Sequence, residues 1–100
     1  MIKHIVMWKL YDQAEGFSRA ENARRIQRRL EGMGERIEVL RALEAGVNLT
    51  AAPDAFDVAL YAEFDSLEDL AVYQAHPEHL KFKEFIHPLR AEKRLVDYEV

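Results

Sequence analysis

Apolar and polar positions alternate from Ile2 to Leu10, setting Ile2, His4, Val6, Trp8 and Leu10 on one face and Lys3, Ile5, Met7 and Lys9 on the other. A period of two predicts a strand. After a polar, glycine-containing connection, Ser18 and Glu21 stand in the reciprocal capping pattern that opens a helix. Ala23, Ile26, Leu30 and Met33 then recur at helical spacing, which predicts an amphipathic helix ending near Gly32 and Gly34.

From about Val39 to Leu49, Val39, Leu43, Ala45, Val47 and Leu49 share one face and Leu40 and Ala42 the other. This predicts a second strand, although its Ala-Leu-Glu-rich middle also suits a helix. Thr50 to Ala55, with Pro53-Asp54 inside it, is a turn. Phe56 to Phe64 sets Val58, Leu60, Ala62 and Phe64 against Asp57, Ala59, Tyr61 and Glu63, a third strand forming a hairpin with the second. Ser66 caps a short helix with Leu67, Leu70, Ala71 and Tyr73 as its apolar side, and His76-Pro77 interrupts it. A further helical piece runs from Glu78 to about His87-Pro88 with Phe82, Phe85, Ile86 and Leu89 apolar. Lys93 to Val100 closes the chain as a fourth strand carrying Leu95, Val96, Tyr98 and Val100.

The order strand, helix, strand, strand, helix, strand is the α+β split β-α-β arrangement, with both helices on one face of an antiparallel sheet. It fits a single domain over residues 1–100. The other sheet face needs an explanation, because Ile5, Met7, Ala59 and Tyr61 make it apolar too. A second sheet from an identical chain would cover it and enclose a space between the sheets.

Composition narrows the function. With 49% apolar residues the chain can pack a core, but a domain of 100 residues gains appreciably from burial between copies. The absence of cysteine excludes disulfides, thiolate metal sites and cysteine nucleophiles, and is consistent with a cytoplasmic setting. The first ten residues read as a strand rather than a signal peptide, and no apolar run is long enough to span a bilayer. A net charge of −4 argues against nucleic acid. Arg24, Arg25, Arg28 and Arg29 make a basic stripe, but Glu21 and Glu31 flank it and a solvated helix face accounts for it. Serine and threonine are confined to Ser18, Thr50 and Ser66, which disfavours a serine-nucleophile hydrolase. No phosphate loop or dinucleotide fingerprint is present, so no nucleotide cofactor is expected.

The chemistry-bearing residues are Tyr73, His76 and His79, within Tyr-Gln-Ala-His-Pro-Glu-His, and His4 on the first strand. Ile2 to Leu10, Gly46-Val47-Asn48-Leu49, Asp57 to Ser66, Tyr73 to His79 and Val96-Asp97-Tyr98 together resemble the stress-responsive dimeric A/B-barrel (Dabb) family over nearly the whole chain. The resemblance implies a ferredoxin-like monomer whose sheet joins a partner's in a dimeric α/β barrel, with a cavity bounded by sheet and helices. It does not imply one activity, since the family includes plant stress and defence proteins, many uncharacterised bacterial proteins and a polyketide cyclase that makes olivetolic acid without a redox cofactor.

In that cyclase a tyrosine and the second histidine of His-Pro-x-His serve aldol ring closure, and a first-strand histidine lies near the site. Tyr73, His79 and His4 match them in residue type. Such residues suit enolisation: a neutral imidazole takes a carbon-bound proton and a phenol donates to the developing oxyanion. The expectation is therefore His79 as base, Tyr73 as oxyanion donor and His4 as a pocket-lining orienter. The competing reading is structural, with His-Pro-x-His capping the helix break. His76, held before Pro77, is expected to be structural, its ring satisfying nearby carbonyls. A metal set of His76, Glu78 and His79, with or without His4, is permitted by spacing, but the proline breaks helical geometry and no metal is expected. Trp8, Tyr61 and Phe64 are candidates to line a pocket for a small aromatic or acyl ligand, though strand aromatics are commonly plain core. Two further classes stay open: a cofactorless monooxygenase on the related barrel, and a non-enzymatic stress-related dimer whose cavity is filled by side chains.

Overall fold

The computed structural model describes residues 1–100. Strand β1 (Ile2–Leu10) leads into a small hairpin, β2 (Gln13–Ala14) and β3 (Phe17–Ser18). Helix α1 (Arg19–Gly34), β4 (Ala42–Val47), β5 (Val58–Phe64), α2 (Leu67–Ala75), α3 (Pro77–Ile86) and β6 (Arg90–Glu99) follow. The long strands form one antiparallel sheet in the order β4-β5-β1-β6. This is the expected β-α-β-β-α-β order with its second helix in two pieces.

The helix ends follow from local chemistry. Ser18 accepts from the Glu21 N–H while the Glu21 carboxylate accepts from the Ser18 N–H, so the capping box opens α1 where expected. Ser66 accepts from the Asp69 N–H and opens α2. His76 both ends α2 and opens α3: its extended backbone precedes Pro77 at the first helical position, and its Nδ1 accepts from the Glu78 N–H at 3.1 Å. The structural role expected of His76 is present, but its ring serves a backbone donor rather than carbonyls.

Side chains at His4, Val6 and Trp8 of β1 and Val58, Leu60, Ala62 and Phe64 of β5 are buried beneath the helices. Ile26 and Leu30 of α1, Tyr73 of α2 and Phe82 of α3 meet them in one core. Each such aliphatic or aromatic side chain stabilises the fold by roughly 1.5–3 kcal/mol relative to exposure. Strand β6, by contrast, is exposed along nearly its whole length. On the open side of the sheet Ile5 lies opposite Val96 and Tyr61, and Met7 opposite Arg94 and Ala59.

Four details depart from the expectations. The second strand stops at Val47, because Asn48 turns the chain by accepting from the Thr50 N–H, and this leaves Leu49 97% exposed rather than on the core face. Val39 and Leu40 pack on the core from a turn before β4, not from within the strand. The first connection is a hairpin: Ala14 pairs with Phe17 across Glu15 and Gly16, whose φ of 53° and 83° are the left-handed values a tight hairpin turn requires. The last strand begins at Arg90, ahead of the expected Lys93.

Candidate functional site

Because β6 lacks helix cover, a cleft remains between α3 and the β1–β6 edge. Its inner part, about 210 Å³, lies among His4, Trp8, Tyr73, His79, Phe82 and Lys93. An outer basin of about 250 Å³ shares Trp8, His79, Phe82, Lys83 and Lys93 with it, so the two form one depression. Alternation along β1 delivers His4 and Trp8 to it, α2 delivers Tyr73 just before its break, and α3 delivers His79 in its first turn. The break at His76-Pro77 redirects the chain so that the Tyr73 and His79 rings lie 4.6 Å apart.

Tyr73 is fully buried and its hydroxyl has no hydrogen-bond partner. Burial holds its phenol well above the usual range, so it is a neutral donor. His79 is half-buried and its Nδ1 is also without a partner. Burial first, then the positive charge of Lys83, lowers its pKa to about 4, with the Gln74 backbone opposing weakly. Native groups so placed ordinarily find partners, and each one left without costs about 1–3 kcal/mol. Both residues line the inner part of the cleft.

His4 is 3% exposed, and its ring lies 6.0 Å from that of Tyr73. Its Nδ1 is hydrogen-bonded to Asp97 on β6, its cross-strand neighbour, which fixes the imidazole's orientation. Trp8 and Phe82 pack edge to face, with ring centres 5.6 Å apart, and form the apolar wall.

The structure thus brings His4, Tyr73, His79 and Trp8 to one cavity. Phe64 does not line it: it is fully buried behind, 5.0 Å from the Tyr73 ring, as core. Tyr61 stands on the opposite sheet face, bonded to Glu63 beneath the Lys3 ammonium, because adjacent strand residues point to opposite sides. Nor do His76 and Glu78 join His79, since the Glu78 carboxylate pairs with Arg36 and Lys81. The basic stripe is partly spoken for, with Arg25 over Phe17 and Arg29 over Phe85. Sequence reasoning gave no role to Asp97, Lys83 or Lys93. The available signal for Asp97 was an acid at an alternate, inward position of the last strand; its pairing with a residue 93 positions away was not visible.

An antiparallel sheet carrying its helices on one face in this order defines a ferredoxin-like α+β protein. The family model of the stress responsive A/B barrel domain, Dabb, matches residues 2–100, and the chain belongs to that family. It is 28% identical over 99 residues to a stress-response A/B barrel domain-containing protein of Arabidopsis thaliana, covering 98% of this chain and 36% of that protein. The chain therefore spans about a third of that relative's length. A dimeric ferredoxin-like protein of unknown function from Bacteroides fragilis superimposes with a TM-score of 0.87 at 31% identity, covering 99% of this chain and 95% of that one. The fold is shared with a hydroxynitrile lyase from Passiflora edulis (TM-score 0.81, 17% identity, 99% and 92% covered). It is also shared with a putative antibiotic biosynthesis monooxygenase from Nitrosomonas europaea (TM-score 0.75, 18% identity, 100% and 98% covered).

Proposed function

We propose that this Dabb protein is a cofactor-independent enzyme that binds a small aromatic or acyl carbonyl compound in the helix-side cavity and catalyses enolisation, leading to aldol-type cyclisation or isomerisation. One observation carries the reading: Tyr73 and His79 line the same cavity, and the buried Tyr73 hydroxyl and His79 Nδ1 are both without hydrogen-bond partners. In the proposed step His79 takes a proton from the carbon beside a carbonyl. The C–H electrons move to the carbonyl oxygen, which accepts from the Tyr73 hydroxyl, and the enolate then attacks a second carbonyl or recovers the proton at another carbon. His4, held by Asp97, orients the site. That a hydroxynitrile lyase uses this fold is compatible with lyase-type proton chemistry here.

We also infer that two chains pair sheet against sheet. The support is the dimeric state given for similar folds, the apolar row Ile5, Met7 and Val96 on the open face, and the exposed Leu95, Val96 and Tyr98 of edge strand β6.

The test of the chemistry is deuterium exchange from heavy water into aryl 1,3-diketones and β-keto thioesters, followed by proton NMR. The wild type is expected to accelerate exchange, His79→Ala to lose about 100-fold and Tyr73→Phe about 10- to 100-fold. Exchange unaffected by His79→Ala defeats the assignment. Ligand binding without exchange favours a non-enzymatic binding protein.

A further inference from the structure

The chain as a whole is acidic, with a net charge of −4, yet the mouth of its cavity is not. Lys83 of α3 and Arg90 and Lys93 of β6 line the outer basin, and no carboxylate lies within ion-pair distance of any of them. Lys83 and Lys93 continue into the inner cavity beside His79. The acid there, Glu84, is confined to the outer basin. Asp97, on the same inward face of β6 as Lys93, is engaged by His4. Three cations, none of them in an ion pair, therefore converge on an apolar slot walled by Trp8 and Phe82, with Glu84 the one carboxylate on the basin.

We infer that this mouth is an anion subsite, and that the ligand is a small carboxylate whose aryl or acyl body lies against Trp8 and Phe82 while its charged end is held by Lys83, Arg90 and Lys93. The inference deepens the enzymatic reading by naming a substrate class for the same cavity. Cations left unpaired at the rim of a low-dielectric slot raise the local concentration of anions and hold them by charge-assisted hydrogen bonds. Burial, then Arg90, then Lys83 lower the pKa of the Lys93 ammonium, and Asp97 opposes them in part. The inner part of about 210 Å³ and the outer of about 250 Å³ together reach only the lower half of the roughly 300–1,000 Å³ of drug-sized sites, which suits a small body.

The same subsite would tune the base. His79 is faced by Lys83 on its own helix, Tyr73 from α2, His4 from β1 and Lys93 from β6. Lys83 and Lys93 both act to lower its pKa, so a carboxylate seated between them relieves that effect and makes His79 a stronger base only when the ligand is present.

Trp8 is the chain's single tryptophan and lines both parts of the cavity, so its fluorescence reports occupancy directly. The probes are benzoate, 3-phenylpropanoate and hexanoate, each against its primary amide, titrated into the intact protein at low and high salt. At least one acid is expected to bind about tenfold or more tightly than its amide at low salt, with the preference shrinking as salt rises. Lys83→Met with Lys93→Met should bring the acid to the level of the amide, with an unchanged unfolding midpoint verifying the fold. NMR titration of His79 should show its pKa rising from about 4 with the acid and not with the amide. Equal binding of acid and amide, a preference that survives the double substitution, or no saturable change with any acid overturns the subsite. Acid-selective binding without deuterium exchange defeats the enzyme and keeps the subsite. Exchange in neutral compounds with no acid preference does the reverse.

Discussion

The two faces of one sheet use the same strands in opposite ways. Beneath the helices, β1 and β5 present Val6, Trp8, Leu60 and Phe64 with a few polar side chains set among them, and two of the polar atoms gathered there have no partner. On the open side the same strands interleave Ile5, Met7 and Ala59 with Lys3, Tyr61 and Glu63, and the polar groups satisfy one another. Stability on the helix side is given up at particular atoms, as happens where a site must bind something. The open side carries no such cost, and the proposed pairing would set it against a like surface. Function should therefore follow substitutions on the first face, and assembly those on the second.

The largest effects should separate the faces outright. Phe64→Ala removes a fully buried ring that packs on Tyr73, and should cost about 3–5 kcal/mol in chemical denaturation. Ile5→Asp with Val96→Asp places like charges at a paired position of the open face. It should leave the circular dichroism of a folded chain while light scattering falls to the monomer mass. In the wild type, the unfolding midpoint should rise with protein concentration, as it must when pairing stabilises the fold. A double variant that remains dimeric breaks the division of labour between the faces.

Tyr73→Phe gives a smaller and more pointed result. A buried hydroxyl with no partner destabilises the native state, so removing it should raise stability by up to about 1 kcal/mol while lowering turnover. A hydroxyl serving the fold through an internal bond would lose stability on the same substitution. Opposite signs in thermal unfolding and in deuterium exchange therefore distinguish a site residue from a core residue.

How much of this was legible beforehand depends on the range over which each feature is determined. Ser18 with Glu21, Ser66, and His76 before Pro77 act within a few residues, and the helix starts were readable from them. Alternation in β1 and β5 likewise announced which side chains share a face, and it already set Tyr61 opposite Phe64. The overlong second strand failed where a side-chain turn at Asn48 overrode an apolar pattern that runs on to Leu49. At the site, Tyr73, His79 and His4 were visible as residue types. The Asp97 partner and the cationic rim depend on β1 pairing with β6, a contact between the two ends of the chain that no local pattern encodes.

The finest test of the contrast uses pH. His79 carries a pKa of about 4 in the folded protein against 6.5 in the unfolded chain, with burial the leading cause. As pH falls below 6.5 the unfolded chain takes up this proton first, so the stability His79 contributes above that value is lost progressively toward pH 4. Solvent reaching the half-exposed ring limits the loss to about 1–2 kcal/mol. Carboxylates lowered by partners, such as Asp65 beside Arg41 and Glu78 beside Arg36, also lose stability on acidification, so the His79 share is the difference between the wild type and His79→Gln. The variant should show a shallower decline between pH 6.5 and 4. Added salt should leave that difference largely intact, since desolvation rather than a surface ion pair produces it. Identical pH profiles would mean that His79 is solvated, and that the helix face holds no desolvated site to set against the open one.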